Sequence, residues 1–244
     1  MKACLAVAVL LMSASAWGAT TQCLATFNNN QSDTRWCVTQ NGNVALLSAT
    51  GGNGSGIMIQ GNEGYMIRTS FACYADNGQS DTGNWQASVV SEPKGPNTFP
   101  LTITRTTSDS SFTLTQKFSW GKNHSSIIVQ MSLGGQVSAD AFLWRYADVL
   151  YGGNNQWLDY TNRSAFIWSD GTAGRFGLLA RSVPLRYLLS TGSDPNAIGG
   201  VQNLCAGIDG SKPQFPYQGD SALALFWQAA TKGIDTAIEY TPLQ

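Results

Sequence analysis

The sequence predicts an all-β protein, a large antiparallel two-sheet β-sandwich, on three observations. Period-two alternation of apolar and polar residues recurs along the chain, with Gly- and Asn/Asp-rich links between the alternating segments. No stretch places apolar residues at helical spacing between caps. The chain has 244 residues and no internal repeat, a length ordinary for one sandwich.

The first element is a secretory signal over residues 1–18. Met1-Lys2 is a short positive start, Ala3 to Met12 is unbroken apolar sequence, and Ser13-Ala14-Ser15-Ala16 supplies the small residues of a cleavage site after Ala16 or Gly18. The expectation is a secreted or periplasmic protein whose single β-sandwich domain spans 19–244. No second apolar stretch is long enough to cross a bilayer, so a membrane-spanning chain is not expected.

Within the domain the clearest strands form a meander over 100–107, 111–120 and 126–133. In the second, Phe112, Leu114, Phe118 and Trp120 share one face, and Thr113, Thr115, Lys117 and Ser119 the other. In the third, Ile127, Val129, Met131 and Leu133 share a face, and the first sets a threonine ladder outward. Gly121-Lys122-Asn123-His124 reads as the hairpin link between the second and third. Further strands are expected at 44–49, 56–60, 65–74, 85–90, 142–151, 164–168, 176–181, 185–189, 223–228 and 236–240, with one helical turn near 195–199.

Cys4 falls in the signal, leaving Cys23, Cys37, Cys73 and Cys205. An even number in an exported chain implies two disulfides, and four cysteines allow three pairings. Cys23–Cys37, a short N-terminal loop, and Cys73–Cys205, a long-range staple, are the favoured pair. Cysteine spacing and a single histidine do not suit zinc.

Only 12% of residues are charged, with a net charge of −1, so the electrostatic footprint of nucleic-acid binding is missing. Abundant Thr, Ser, Asn, Gln and Gly make a surface suited to neutral polar ligands such as glycans.

The segment Phe142-Leu143-Trp144-Arg145-Tyr146-Ala147-Asp148-Val149, the Gly152-Gly153-Asn154-Asn155 link and Asn162-Arg163-Ser164-Ala165 form a recognisable series. With the closing stretch 219–227 and 234–240, they resemble poorly characterised secreted bacterial β-sandwich proteins with an RYAD-type strand. The resemblance covers the C-terminal half and implies a sandwich but no activity. Leu150 departs from it, standing where that pattern has a second Asp.

No catalytic set is found. Gly219-Asp220-Ser221-Ala222-Leu223 resembles the GDSL block of a family of esterases, but no histidine follows Ser221 to act as its base. His124, in a link between strands, reads as a solvated turn residue, and Gly51 to Gly56 lacks the Lys-Ser/Thr of a phosphate loop. Glu63, Glu92 and Glu239 are far apart in sequence, so no pair for glycoside hydrolysis is identified.

The candidate ligand site is the polar stretch 152–160, read as a loop. Trp157 supplies a stacking platform, and Asn154, Asn155 and Asp159 supply hydroxyl partners. Arg145 and Asp148 precede it on the strand 142–151. Asp148 alternates with Phe142, Trp144 and Tyr146, the face read as inward, and so needs a partner. An Asp–Arg network with Arg145 or Arg163 is weighed first, then Ca²⁺ held by Asp148 and Asp159, then catalysis. No other cofactor is implied.

The first functional expectation is a secreted, non-catalytic binding or structural module with extracellular glycan as its ligand class. The second is an enzyme acting on extracellular polysaccharide through carboxylates paired across the sheet. The third is a subunit that adds strands to an extracellular assembly.

Overall fold

Alternation in the meander becomes burial. Leu101, Ile103 and Arg105, then Phe112, Leu114, Gln116 and Phe118, then Ile127, Val129, Met131 and Leu133 are buried, while the residues between them are half-buried or exposed. The computed structural model describes residues 23–29, 34–48, 57–76, 78, 81–91, 98–121, 126–138, 140–151, 156–160, 164–169, 175–180, 186–191, 205, 217–218, 221–228 and 233–243. The expected signal over 1–18, the link at 152–155 and the stretch 195–199 lie outside the described residues.

The strands are β1 (Cys23–Asn29), β2 (Thr34–Thr39), β3 (Val44–Ser48), β4 (Ile57–Arg68), β5 (Cys73–Asp76), β6 (Val89–Ser91), β7 (Leu101–Thr106), β8 (Phe112–Trp120) and β9 (Ile127–Gly135), and Cys205 alone among the described residues is helical. They continue with β10 (Phe142–Tyr151), β11 (Gln156–Tyr160), β12 (Ser164–Ser169), β13 (Arg175–Ala180), β14 (Arg186–Thr191), β15 (Tyr217–Gln218), β16 (Ser221–Gln228) and β17 (Ile234–Leu243). The chain is all-β and sandwich-like, as its patterning predicts.

One sheet has nine strands in the order β15-β11-β12-β13-β17-β9-β8-β7-β6, and a second has five in the order β14-β16-β10-β4-β5. A third, β1-β2-β3, is an addition to the expected two sheets. Every strand pairing is antiparallel. The last strand in sequence, β17, lies inside the nine-stranded sheet and joins β13 to β9.

The main core lies between the large sheets. Tyr65, Ile67, Leu143, Ala147, Leu225 and Trp227 of the five-stranded sheet meet Leu114, Phe118, Val129, Ile238 and Tyr240 of the nine-stranded one. The small sheet enters the same core. Phe27 stacks on Phe99 at 3.6 Å and meets Trp120 edge-on, while Trp36 meets Tyr240 edge-on at 6.4 Å.

The five-stranded sheet is covered on its other face too. Met66, Ala75, Tyr146 and Ala224 form a second cluster with Trp144, Cys73 and Cys205 packed on it. The face read as inward from sequence, that of Trp144 and Tyr146, is therefore the smaller of two apolar faces, and Arg145 points into the main core. Alternation identifies two faces but cannot rank them when both are apolar.

Both disulfides have the expected pairing: Cys23–Cys37 links β1 to β2, and Cys73–Cys205 ties β5 to a residue 132 positions away. Such bonds belong to an oxidising compartment. No helix among the described residues is long and apolar enough to cross a membrane.

Candidate functional site

Two arginines organise a buried polar network around the β2–β3 turn. Gln40, Asn41, Gly42 and Asn43 carry the chain from β2 to β3, and Gly42 and Asn43 are buried. Buried turn carbonyls need donors, and side chains of the large sheets supply them. Arg145 on β10 donates from Nη2 to the Gly42 carbonyl at 2.9 Å. Gln116 on β8 donates from Nε2 to the Asn41 carbonyl at 3.1 Å, and Tyr65 on β4 donates its hydroxyl to the same oxygen at 2.9 Å.

Arg145, fully buried, spends its other donors inside the core. Its Nε reaches Glu63 Oε1 at 2.5 Å and the Tyr240 hydroxyl at 2.7 Å, and its Nη1 binds Gln116 Oε1. Glu63 also accepts from the Tyr240 hydroxyl and from the Val44 amide. The guanidinium lies near the Tyr65 and Tyr240 rings. Arg105 on β7 repeats the arrangement, holding Asp76 and Asp81 each at 3.0 Å and lying over the Trp85 ring.

Burial pushes the Glu63 carboxyl above its ordinary value, with Arg145 pulling it back. Asp76 is likewise raised by burial. Burial alone disfavours the Arg145 cation, but Glu63 and Tyr240 outweigh it and hold its pKa above the usual arginine range. Buried in this way, Tyr65, Tyr146 and Tyr240 are raised well above an ordinary phenol and act as neutral donors. A densely bonded network of this kind fixes one packing arrangement, although the buried Nε of Arg105 finds no acceptor among the described residues. Its carboxylates are occupied by arginines; Glu63 and Asp76 are enclosed from solvent, and Asp81 is partly exposed.

Gly42 shows how tightly the turn is held. It has a φ of +87°, and a Cβ there would lie 2.3 Å from Gln116 Nε2. Gly42→Ala is expected to destabilise the fold by about 2–4 kcal/mol, combining positive-φ strain with overpacking. Urea denaturation at unchanged m-value would measure it, and a loss below about 1 kcal/mol would mean that the turn is not locked in the core.

The open surface lies on the other side of the nine-stranded sheet. A groove of about 490 Å³ is lined by Thr115 and Lys117 of β8, Gln130 and Ser132 of β9, and Asp235 and Ala237 of β17. Register places Thr115, Ser132 and Asp235 in one row and Lys117, Gln130 and Ala237 in the next. Strand spacing sets the Cα atoms of Lys117 and Asp235 roughly 12 Å apart. The groove continues the threonine ladder, in which Thr104 meets Thr115 at 3.4 Å and Thr106 meets Thr113 at 3.3 Å. That ladder is the sequence signal for this face.

The sequence-chosen residues are distributed as follows. Arg145 belongs to the buried network. Asp148 pairs through its backbone with Ala222 on β16, in the five-stranded sheet. Residues 156–160, read as loop, are strand β11 instead. Trp157 pairs with Trp168 and Gln218, and Asp159 with Phe166, in the nine-stranded sheet. Gln-Trp-Leu-Asp-Tyr alternates and is rich in aromatics, which suits a strand. Asp148 and Asp159 thus sit in different sheets, and Asn154 and Asn155 lie outside the described residues. No group of three or more His, Cys, Asp or Glu among the described residues is placed to hold a metal ion.

No protein-family model and no curated protein matches this chain. It is similar in structure to a bacterial glucoamylase complexed with acarbose, with a TM-score of 0.65 and 14% identity over 93% of this chain and 33% of that one. A family GH92 α-mannosidase from Bacteroides thetaiotaomicron aligns over 92% of this chain and 31% of its own at 8% identity, with a TM-score of 0.39. This chain spans about a third of the length of each, and the glucoamylase likeness is one of fold.

Proposed function

We propose that this chain is a secreted glycan-binding β-sandwich module that holds its ligand on the outer face of the nine-stranded sheet. The observation that carries the reading is the groove over β8, β9 and β17. Its hydroxyls, one amide, one cation and one carboxylate match the hydrogen-bonding groups of a saccharide, and they stand on rigid sheet. Trp157 and Asp159 belong to β11 of the same sheet, separated from β17 by β12 and β13. Two disulfides support an extracytoplasmic setting. The sandwich shared with a glucoamylase makes α-glucans the first ligands to try.

Pull-down of the mature chain on insoluble starch, cellulose, chitin and xylan, with titration against soluble maltooligosaccharides, tests this. Retention on one of these polymers is expected, and Gln130→Ala with Ser132→Ala should weaken it at least about tenfold. Both residues are exposed, so the melting temperature should stay nearly unchanged. Retention on none of the polymers, or unaltered retention of the double variant, would remove the groove from consideration. Hydrolysis of a retained polymer would favour the enzyme reading over the binding module.

A further inference from the structure

Phe71 is 97% exposed, one of two large hydrophobic residues exposed among the described residues. It sits at the tip of the turn at 69–72 between β4 and β5. That turn is rigidly held. Thr69 N donates to the Ala72 carbonyl at 2.9 Å, and Thr69 Oγ1 accepts from the Phe71 and Ala72 amides at 3.2 and 3.0 Å. Ser70 N donates to Asp140 Oδ2 at 3.1 Å, and Ser138 donates its hydroxyl to Asp140 Oδ1. Hydrogen bonds from Ser138 and Ser70 hold the Asp140 carboxyl down at about 2, so it stays ionised. An aromatic ring is thus presented to water on a preorganised support, the arrangement that lowers the entropic cost of binding.

We propose that this turn is a second carbohydrate contact, in which Phe71 stacks on the apolar face of a sugar ring and Ser70, Ser138 and Asp140 bond its hydroxyls. The ring's surroundings select that occupant. A protein interface needs a contiguous apolar patch of several hundred Å², and the other large exposed hydrophobic among the described residues is Val89, on β6 in the other large sheet. An anionic lipid surface needs a cluster of lysines or arginines around the anchor; this turn has Arg68 before it, and the residues bonded to it supply a carboxylate and hydroxyls instead. A single flat ring on a turn bonded to a carboxylate and hydroxyls fits one face of a pyranose. The site rests on the glycan reading above for its ligand class, and on none of the groove's residues.

Phe71→Ala, Phe71→Leu and Phe71→Trp in the mature full chain test it by retention on starch, cellulose, chitin and xylan beside the groove double variant. Phe71→Ala is expected to weaken retention at least about tenfold, Phe71→Trp to retain it and Phe71→Leu to fail, all at unchanged melting temperature. If Phe71→Ala binds as wild type while the groove variant does not, the Phe71 site falls and the groove stands. If leucine serves as well as tryptophan, the contact is bulk apolar and the stacking site is overturned. Retention of the wild type on no polymer overturns both readings.

Discussion

Arg145→Met is expected to lower stability by about 3–5 kcal/mol, the range for breaking a buried ion pair from one side. Methionine fills the space but leaves Glu63 in the core without its cation and the Gly42 carbonyl without the donor it has at 2.9 Å. Arg145→Lys should be nearly as damaging. One ammonium cannot serve Glu63, Tyr240, Gln116 and the Gly42 carbonyl from the directions that the guanidinium covers. A double-mutant cycle with Glu63→Gln should give strong non-additivity, because each single change strands the other partner. Chemical denaturation measures all four proteins. A loss under about 1 kcal/mol for Arg145→Met would show the network to be incidental.

Removing the Cys73–Cys205 bond with a Cys73→Ser, Cys205→Ser pair is expected to lower stability by about 2–5 kcal/mol. Its loop is far longer than that of Cys23–Cys37, with separations of 132 and 14. Loop-closure entropy then makes its loss the more damaging by roughly 2 kcal/mol. The bond also pins Cys205 against the second apolar cluster of Met66, Ala75, Tyr146 and Ala224. Thermal denaturation of the two serine pairs in parallel tests the order, and an equal effect would mean that native packing, not chain entropy, sets the stabilisation.

The meander β7–β9 was legible because each strand has one dry and one wet face, so alternation survives in the sequence. Strand β2 was not, because it is central in its sheet and Trp36, Cys37, Val38 and Thr39 are all buried, leaving no period to read. In β4, Gly61-Asn62-Glu63-Gly64 has turn composition yet lies within a 12-residue strand. Gly64 is there because a Cβ would lie 1.8 Å from the Asp76 carbonyl oxygen, which is a requirement of packing and not of turning. Glu63 looked isolated because its partners Arg145 and Tyr240 lie 82 and 177 positions away. Arg145 was drawn toward the ligand site by its neighbour Asp148, when the fold uses it to seal a turn. The disulfides were legible because cysteine number and compartment constrain them without knowledge of the fold.

The place of β17 orders events in time. The strands β11–β13 and β7–β9 can each zip up as meanders as soon as they are free to pair. Each half-sheet then waits with an unpaired edge until the final strand arrives to close the gap between β13 and β9. The same strand delivers Tyr240 to Glu63, so the core around the β2–β3 turn is also completed late. Pairing of strands far apart in sequence, β17 with β9, makes such folding slow, and two open strand edges are templates for intermolecular pairing during the wait. A truncation before residue 234 would therefore leave a protein that meets its neighbours edge to edge, with aggregation, rather than a smaller soluble fold, as its fate.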